Sequence, residues 1–279
     1  MSNTLSSHLS ISDLLRGDLQ LTSPPNIYFE LQRTLENADK SIADIAFIIS
    51  HDPALSMRIL KIVNSAFFGL ATPITSINHA INIIGVEALQ NLVLATVIID
   101  KFSSRPGGLM SMHDFWAKSV RCALLTKELC LYRNNNDDLD LMFICGLLHE
   151  IGQLVFYRRI PELARQIGLL VEASGVDEIE AEHIILGFNH YQTGAELAQL
   201  WKLPEIVVKT IEQHDHPNYA GEFTLAASTI RTANYLCKLG DECLRPGTFC
   251  NDIAPDDLSH IINNALNQFE AIFKLFYSI

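Results

Sequence analysis

Apolar residues recur every three or four positions along almost the whole chain, and this spacing strongly constrains the fold. Residues spaced in this way share one face of an α-helix, whereas a half-buried strand needs a two-residue alternation, which no stretch sustains. Residues that start or end helices separate the periodic segments, as at Asp52-Pro53, Asn64-Ser65 and Gly85. The sequence therefore predicts an all-α protein. Helices are predicted near residues 42–49, 55–62, 77–84, 89–97, 115–129, 141–148, 161–173, 177–187, 190–200, 204–214, 223–239 and 256–277.

The strongest interruption of this pattern is the run Ser104-Arg105-Pro106-Gly107-Gly108. A proline and two glycines together break both helices and strands, so we place a boundary between two helical bundles here. The predicted organisation is an N-terminal segment (1–17), an N-terminal helical bundle (18–108) and a larger C-terminal bundle (109–279) packed against it.

Composition narrows the class of protein and of partner. The 279 residues are 48 % hydrophobic and 19 % charged, which is typical of a globular protein with a sizeable core. Twenty Lys and Arg against 32 Asp and Glu give a net charge of −12. Such a chain lacks the basic surface that drives non-specific nucleic-acid binding, so nucleic acid is a disfavoured partner.

The sequence also predicts a cytoplasmic protein that does not enter a membrane. Its N-terminus has no basic segment followed by an apolar one, and its longest uniformly apolar run, 141–148, is shorter than the roughly 18 residues that a membrane helix needs. The cysteines form no Cys-x-x-Cys pair, so we interpret them as small buried hydrophobic residues in a reducing compartment. They are Cys122, Cys130, Cys145, Cys237, Cys243 and Cys250.

A candidate site begins where the apolar helix ends, at His149-Glu150. Burying two polar side chains there is unfavourable unless they find partners. His190 and His214 begin or end other predicted helices and are the natural candidates. Imidazole nitrogens and a carboxylate would suit a first-row divalent metal ion. The spacing is loose, however, and residue types alone favour buried histidines satisfied by hydrogen bonds.

Short motifs spread over about residues 18–240 carry a resemblance to a known family. They are His51-Asp52-Pro53-Ala54-Leu55, Arg58 to Ala66, Ile77-Asn78-His79-Ala80-Ile81, Ile84-Gly85, Phe115-Trp116-Ala117-Lys118-Ser119, Gly146 to Gly152, Glu182-His183 to Gly187, His190-Tyr191-Gln192-Thr193-Gly194 and Trp201-Lys202-Leu203-Pro204. In these motifs the chain resembles the HDOD domain family, a divergent bacterial branch of the HD phosphohydrolase superfamily associated with signalling. The resemblance implies a regulatory role in bacterial signal transduction.

The same resemblance locates the positions that bind metal in catalytic HD proteins. The first histidine of that site falls on Lys118, the His-Asp pair on His149-Glu150, and the last aspartate on Asn234. The phosphate-binding lysine of the two-metal relatives falls on Gln153. A protonated lysine cannot ligate a metal, and Asn234 removes a negative charge. These replacements argue against catalysis and suggest that Lys118 pairs with Glu150 in place of a metal.

We therefore expect a non-catalytic HDOD regulatory or scaffold protein that needs no cofactor and binds a signalling protein or a small anionic ligand. We expect the N-terminal bundle to supply much of the protein-binding surface. The candidate ligand-binding residues are Lys118, His149, Glu150, His190 and Asn234. The alternative is a phosphohydrolase that acts on a nucleotide or cyclic dinucleotide through Fe, Mn or Zn. Its metal ligands would be His149, Glu150, His190 and His214.

Overall fold

Helices are the regular elements throughout the described part of the chain. The computed structural model describes residues 9–16, 25–37, 40–103, 111–134, 138–239 and 253–277. Within these ranges there is no strand, which confirms the predicted all-α class. The helices are α1 (Ile11–Leu15), α2 (Asn26–Leu35), α3 (Ile42–Ser50), α4 (Pro53–Val63), α5 (Ile77–Ile84), α6 (Val86–Ser103), α7 (Met112–Tyr132), α8 (Leu139–Leu148), α9 (Ile151–Arg159), α10 (Pro161–Ser174), α11 (Glu178–Leu186), α12 (His190–Leu200), α13 (Glu205–Gln213), α14 (Thr224–Leu239) and α15 (Pro255–Phe276).

Local capping explains where several of these helices begin and end. The Asp52 carboxylate accepts a hydrogen bond from the Leu55 amide at 3.0 Å and so caps α4. The Ser76 hydroxyl accepts one from the His79 amide at 3.1 Å and caps α5. Gly85, at φ 87°, then turns the chain into α6. The sequence patterns predicted these boundaries, but they did not predict α1, α2 or α9 as separate helices.

The N-terminal bundle, α2 to α6, closes around its longest helix, α6, which packs against α2, α4 and α5. Asn64 caps the end of α4, as predicted, through a 2.8 Å hydrogen bond to the Leu60 carbonyl. Its side-chain amide also pairs with the backbone N–H and C=O of Ile74, at 2.7 and 2.8 Å. One side chain therefore both ends the helix and fixes the loop that follows.

The C-terminal bundle is built around α8, whose residues from Met142 to Leu148 are all buried. It contacts α6, α7, α13 and α14, so the uniformly apolar sequence of α8 is explained by neighbours on every side. The segment Leu139–Arg159 is long and apolar enough to cross a membrane, since α9 continues after α8, but 83 % of its apolar window is buried inside the protein. The pair Ile77–Ile84 and Val86–Ser103 passes the same test of length and composition but bends by 118°.

One hydrophobic core runs through both bundles. α1 packs on α9 and α12, and α15 packs on α4 as well as on α7. The predicted boundary at 104–108 lies outside the described residues, so the division of the chain at this point stays a prediction. The cysteines that the structure describes are free and are buried or partly buried, whereas Cys243 and Cys250 lie outside the described residues.

Candidate functional site

Glu150 is the centre of a buried polar network contributed by four helices and the α8–α9 junction. Its Oε1 lies 3.2 Å from the Lys118 ammonium of α7 and accepts a 3.3 Å hydrogen bond from the Asn234 amide of α14. Its Oε2 lies 2.7 Å from His190 Nε2, at the first turn of α12. The ion pair between Lys118 and Glu150 that the sequence suggested is therefore present.

His190 is held between two carboxylates. Its Nδ1 lies 2.7 Å from Glu182 Oε1 on α11, opposite the contact of its Nε2 with Glu150. The His190 backbone N–H also donates to Glu182 Oε2 at 2.9 Å. Burial alone would lower the pKa of His190, but the charges and hydrogen bonds of Glu150 and Glu182 outweigh it and raise the pKa to about 10. The ring is therefore a cation that donates from both nitrogens.

Sequence reasoning did not identify Glu182 as a member of this site. Its only signal was its position in the family motif Glu182-His183, eight residues before His190. Glu182 is 1 % exposed, and its carboxylate binds His190. Carboxylates that bind histidines in this way fix the orientation of the ring, so Glu182 positions His190.

The charges of the network balance within it. Burial would raise the pKa of Glu150, but the charge and hydrogen bond of His190 above all, with the charge of Lys118, hold it well below the usual range. Burial would lower the pKa of Lys118, but the Glu150 charge outweighs burial and raises it. Two carboxylates, Glu150 and Glu182, therefore lie among two cations, Lys118 and His190.

His149 and His214 are uncharged members of the same cluster. Each Nδ1 faces a backbone carbonyl, that of Gly146 at 2.7 Å and that of Thr210 at 3.0 Å, so we assign the ring proton to Nδ1. Each Nε2 is then a buried acceptor, and neither has a hydrogen-bond partner. Burial lowers the pKa of both, that of His149 to about 3.

Three of the four predicted metal ligands converge. One ligand atom from each of His149, Glu150 and His214 lies within 4.8 Å of the others. His190 does not join them, because its Nε2 is bound to Glu150. A divalent ion on these atoms would also lie close to the Lys118 ammonium, and like charges at this range repel strongly. With Lys118 charged and paired, the residues do not fit a divalent metal ion.

Solvent exposure differs among the five predicted ligand-binding residues. The Lys118 side chain is 36 % exposed, whereas His149, Glu150, His190 and Asn234 are all buried. Lys118 is therefore the one of these five residues that solvent reaches. Gln153, at the position of the phosphate-binding lysine in the two-metal relatives, instead donates to the Glu178 carboxylate at 3.3 Å.

Two glycines allow α9 and α12 to cross closely enough to build this cluster. A Cβ on Gly152 would overlap the His190 carbonyl oxygen and lie 2.8 Å from the Gly194 backbone nitrogen. A methyl group at this position would push α12 away, and His190 with it. The closeness of this crossing thus positions the histidine.

Comparison with known proteins agrees with the family resemblance. Residues 21–217 match the HDOD domain family. An uncharacterized protein of Treponema pallidum (strain Nichols) is 31 % identical over 238 residues, which cover 83 % of this chain and 44 % of that protein. This chain therefore spans less than half the length of that relative.

Two solved structures share the fold. One is from Shewanella amazonensis SB2B and is named provisionally as a phosphohydrolase; it is 25 % identical with a TM-score of 0.72, covering 94 % of this chain and 96 % of that one. The other is from Marinobacter aquaeolei VT8 and is named provisionally as a signal transduction protein; it is 17 % identical with a TM-score of 0.70, covering 99 % and 67 %. With its family match across both bundles, the chain belongs to the HDOD domain family.

Proposed function

We propose that this protein is a non-catalytic regulatory protein of bacterial signal transduction that works in the cytoplasm. The observation that carries the proposal is the 3.2 Å contact between Lys118 Nζ and Glu150 Oε1. At this position the ammonium supplies the positive charge that a metal ion supplies in catalytic relatives. The provisional name of the Marinobacter structure supports the signalling role.

Both carboxylate oxygens of Glu150 already accept hydrogen bonds within the network, so a metal ion would have to compete with them. Lys118 and Asn234 bind one oxygen, and His190 binds the other. Metal-dependent hydrolysis of a phosphate ester needs a metal-bound water as the nucleophile, and a site that repels the ion cannot generate it. A regulatory protein needs only to bind, through Lys118 for a small anion or through its surface for a protein.

Exposed apolar side chains on the N-terminal bundle support binding of a protein partner. Phe47 on α3, Met57 on α4 and Ile83 on α5 are 66, 57 and 52 % exposed. Exposed apolar side chains are common at protein-binding surfaces when they form a contiguous patch. The three helices contact one another, which is consistent with a shared surface.

One observation favours the alternative, a metal-dependent phosphohydrolase. The Nε2 atoms of His149 and His214 are buried acceptors without partners, beside the Glu150 carboxylate. If Lys118 were displaced, these three residues would be the ones to hold Fe, Mn or Zn. The provisional name of the Shewanella structure supports this alternative.

Metal content separates the two functions. We expect untagged protein, purified without chelator, to contain Fe, Mn and Zn far below one ion per chain by plasma mass spectrometry. It should also fail to hydrolyse bis(p-nitrophenyl) phosphate when these metals are added. Near-stoichiometric metal that disappears in His149→Ala, together with hydrolysis, would overturn the proposal.

A second variant tests the role of Lys118 itself. Lys118→His removes the permanent charge and adds an imidazole, so we expect its metal content to rise towards one ion per chain. The matched control is Lys238→His, at an exposed position on α14. If Lys118→His binds no more metal than Lys238→His, Lys118 is not what excludes the ion.

A further inference from the structure

A groove of about 640 Å³ lies between α7 and α15, and Lys118 forms part of its wall. Its volume falls within the roughly 300–1,000 Å³ typical of small-molecule sites. The other members of the Glu150 network are buried, and in this groove a dissolved ligand can reach Lys118.

Two cationic side chains of α7 face this groove. Lys118 and Arg121 are three residues apart, so they share a helix face, with Cβ atoms about 5–6 Å apart. Arg121 has no carboxylate partner among the described residues. Its guanidinium lies 4.6 Å from the centre of the Phe269 ring of α15, which holds it at the groove. An unpaired guanidinium beside an ammonium can grip one carboxylate or phosphate.

The acidic residues of the groove lie at its solvent edge. The Asp114 carboxylate lies 3.2 Å from His113, and that of Glu270 lies 3.7 Å from Lys274. Both carboxylates are highly exposed, at 76 and 73 %, so water and salt screen them. Among the described residues, Arg121 is thus a groove cation without a carboxylate partner, in a chain whose net charge is −12.

Aromatic rings line the α15 side of the groove. Phe269 and Phe273 stack with centres 5.3 Å apart, and Phe273 and Tyr277 stack at 5.2 Å with an angle of 9°. Tyr277 is the outermost ring of the stack and is half-buried. The His113 ring of α7 contacts Tyr277 edge-on, with centres 5.8 Å apart at 83°. No ring in the described part of the chain stacks in parallel on the other face of Tyr277, so an aromatic ligand could extend the series.

We propose that the groove between α7 and α15 binds a small aromatic anion. Lys118 and Arg121 hold its carboxylate or phosphate, and Tyr277 stacks on its ring. This inference rests on the proposed regulatory function and specifies the ligand. An anion on Lys118 competes with Glu150 for the ammonium, so occupancy of the groove is transmitted to the buried network.

Calorimetric titration with phenyl phosphate and with benzoate tests this site and distinguishes the two anionic groups. We expect at least one of them to bind the wild-type protein more tightly than inorganic phosphate or phenol, and more weakly as salt is added. Arg121→Ala should lower the affinity about tenfold, and Tyr277→Ala about threefold. The control Arg33→Ala, at an exposed arginine of α2, should bind like the wild type.

Three results would overturn the inference: no binding of either aromatic anion at about 10 mM, wild-type affinity in Arg121→Ala, or equal affinity for inorganic phosphate. Failure of the proposed function looks different. It would appear as stoichiometric metal and diester hydrolysis in the wild type. In that case Arg121→Ala would still bind the aromatic anion more weakly than the wild type. If the wild type bound neither aromatic anion and contained little metal, the proposed ligand site would fail while the proposed regulatory function would stand.

Discussion

At the scale of single residues, two histidines of one cluster carry opposite charge states. His190 lies between Glu150 and Glu182 and keeps its proton. His149 binds a carbonyl through Nδ1, and its Nε2 lies 3.6 Å from Glu150 Oε1, beyond hydrogen-bond distance, so the ring stays neutral. Both are fully enclosed, so the difference comes from their neighbours and not from burial. Their opposite shifts give the folded state a pH dependence on both sides of neutrality.

We therefore expect stability to be greatest near neutral pH. The pKa of His149 is about 3 when folded against 6.5 unfolded, so the unfolded chain binds the extra proton and stability falls as the pH drops below about 6.5. The pKa of His190 is raised to about 10, so its contribution is complete below about 6.5 and is lost as the pH rises towards 10.

Urea denaturation at about pH 5, 7 and 9.5 measures both declines. His190→Gln removes the group that titrates on the alkaline side, so this variant should lose less stability than the wild type between the two higher pH values. An alkaline decline that is equally steep in His190→Gln would contradict the assignment of a cationic His190.

At the scale of the elements, the crossing of α9 and α12 sets the geometry of the site. Gly152 leaves room for the His190 carbonyl, and Gly194 on α12 lies against it. A glycine within a helix usually destabilises it by about 0.5–1 kcal/mol. At these two positions the close approach of α9 and α12 leaves no room for a larger side chain.

Gly152→Ala should therefore destabilise the protein by about 3 kcal/mol, because its methyl group overlaps backbone atoms that cannot move without shifting α12. The matched control is Gly168→Ala on α10, where a Cβ meets nothing within 4 Å. That variant should gain roughly 0.5–1 kcal/mol. Chemical denaturation of both variants measures the difference, and equal stabilities would show that the crossing is looser than described.

At the scale of the whole molecule, each end of the described chain binds a part of the protein that is distant in sequence. Arg58 on α4 forms an ion pair with Asp100 of α6 and donates a 2.6 Å hydrogen bond to the Phe276 carbonyl at the end of α15. Arg159 on α9 donates to the Leu14 carbonyl of α1 at 2.8 Å. Together with the shared core, these contacts favour cooperative unfolding.

We expect a single unfolding transition. The protein's two tryptophans, Trp116 and Trp201, belong to the C-terminal bundle, and Trp201 also packs on Phe102 of α6 with ring centres 6.1 Å apart. Their fluorescence therefore reports on the C-terminal bundle and on its contact with α6, whereas far-ultraviolet circular dichroism reports on all helices. The two signals should coincide in urea. Arg58→Ala should lower both midpoints together, because it lowers the free energy of unfolding by about 1–2 kcal/mol. If the two signals gave different midpoints, the bundles would unfold independently.

Much of the helical framework was predictable because its signals are local. Three- and four-residue periodicity and caps such as Asp52 and Ser76 act within one or two turns, so the sequence predicts most of the helices and their ends. The pairing of Lys118 with Glu150 was also predictable, but only through the family resemblance. No local pattern places these two side chains 3.2 Å apart.

The sequence by itself determined the all-α class, the enclosed helix α8 and the charged residues available to the site. Tertiary structure decided that Glu182 holds His190, that four of the five predicted ligand-binding residues are buried, and that Arg121 joins Lys118 in a groove. These outcomes depend on where α7, α11, α12 and α15 cross. Crossing positions follow from the packing of whole side chains across distant segments, which spacing along one chain does not encode.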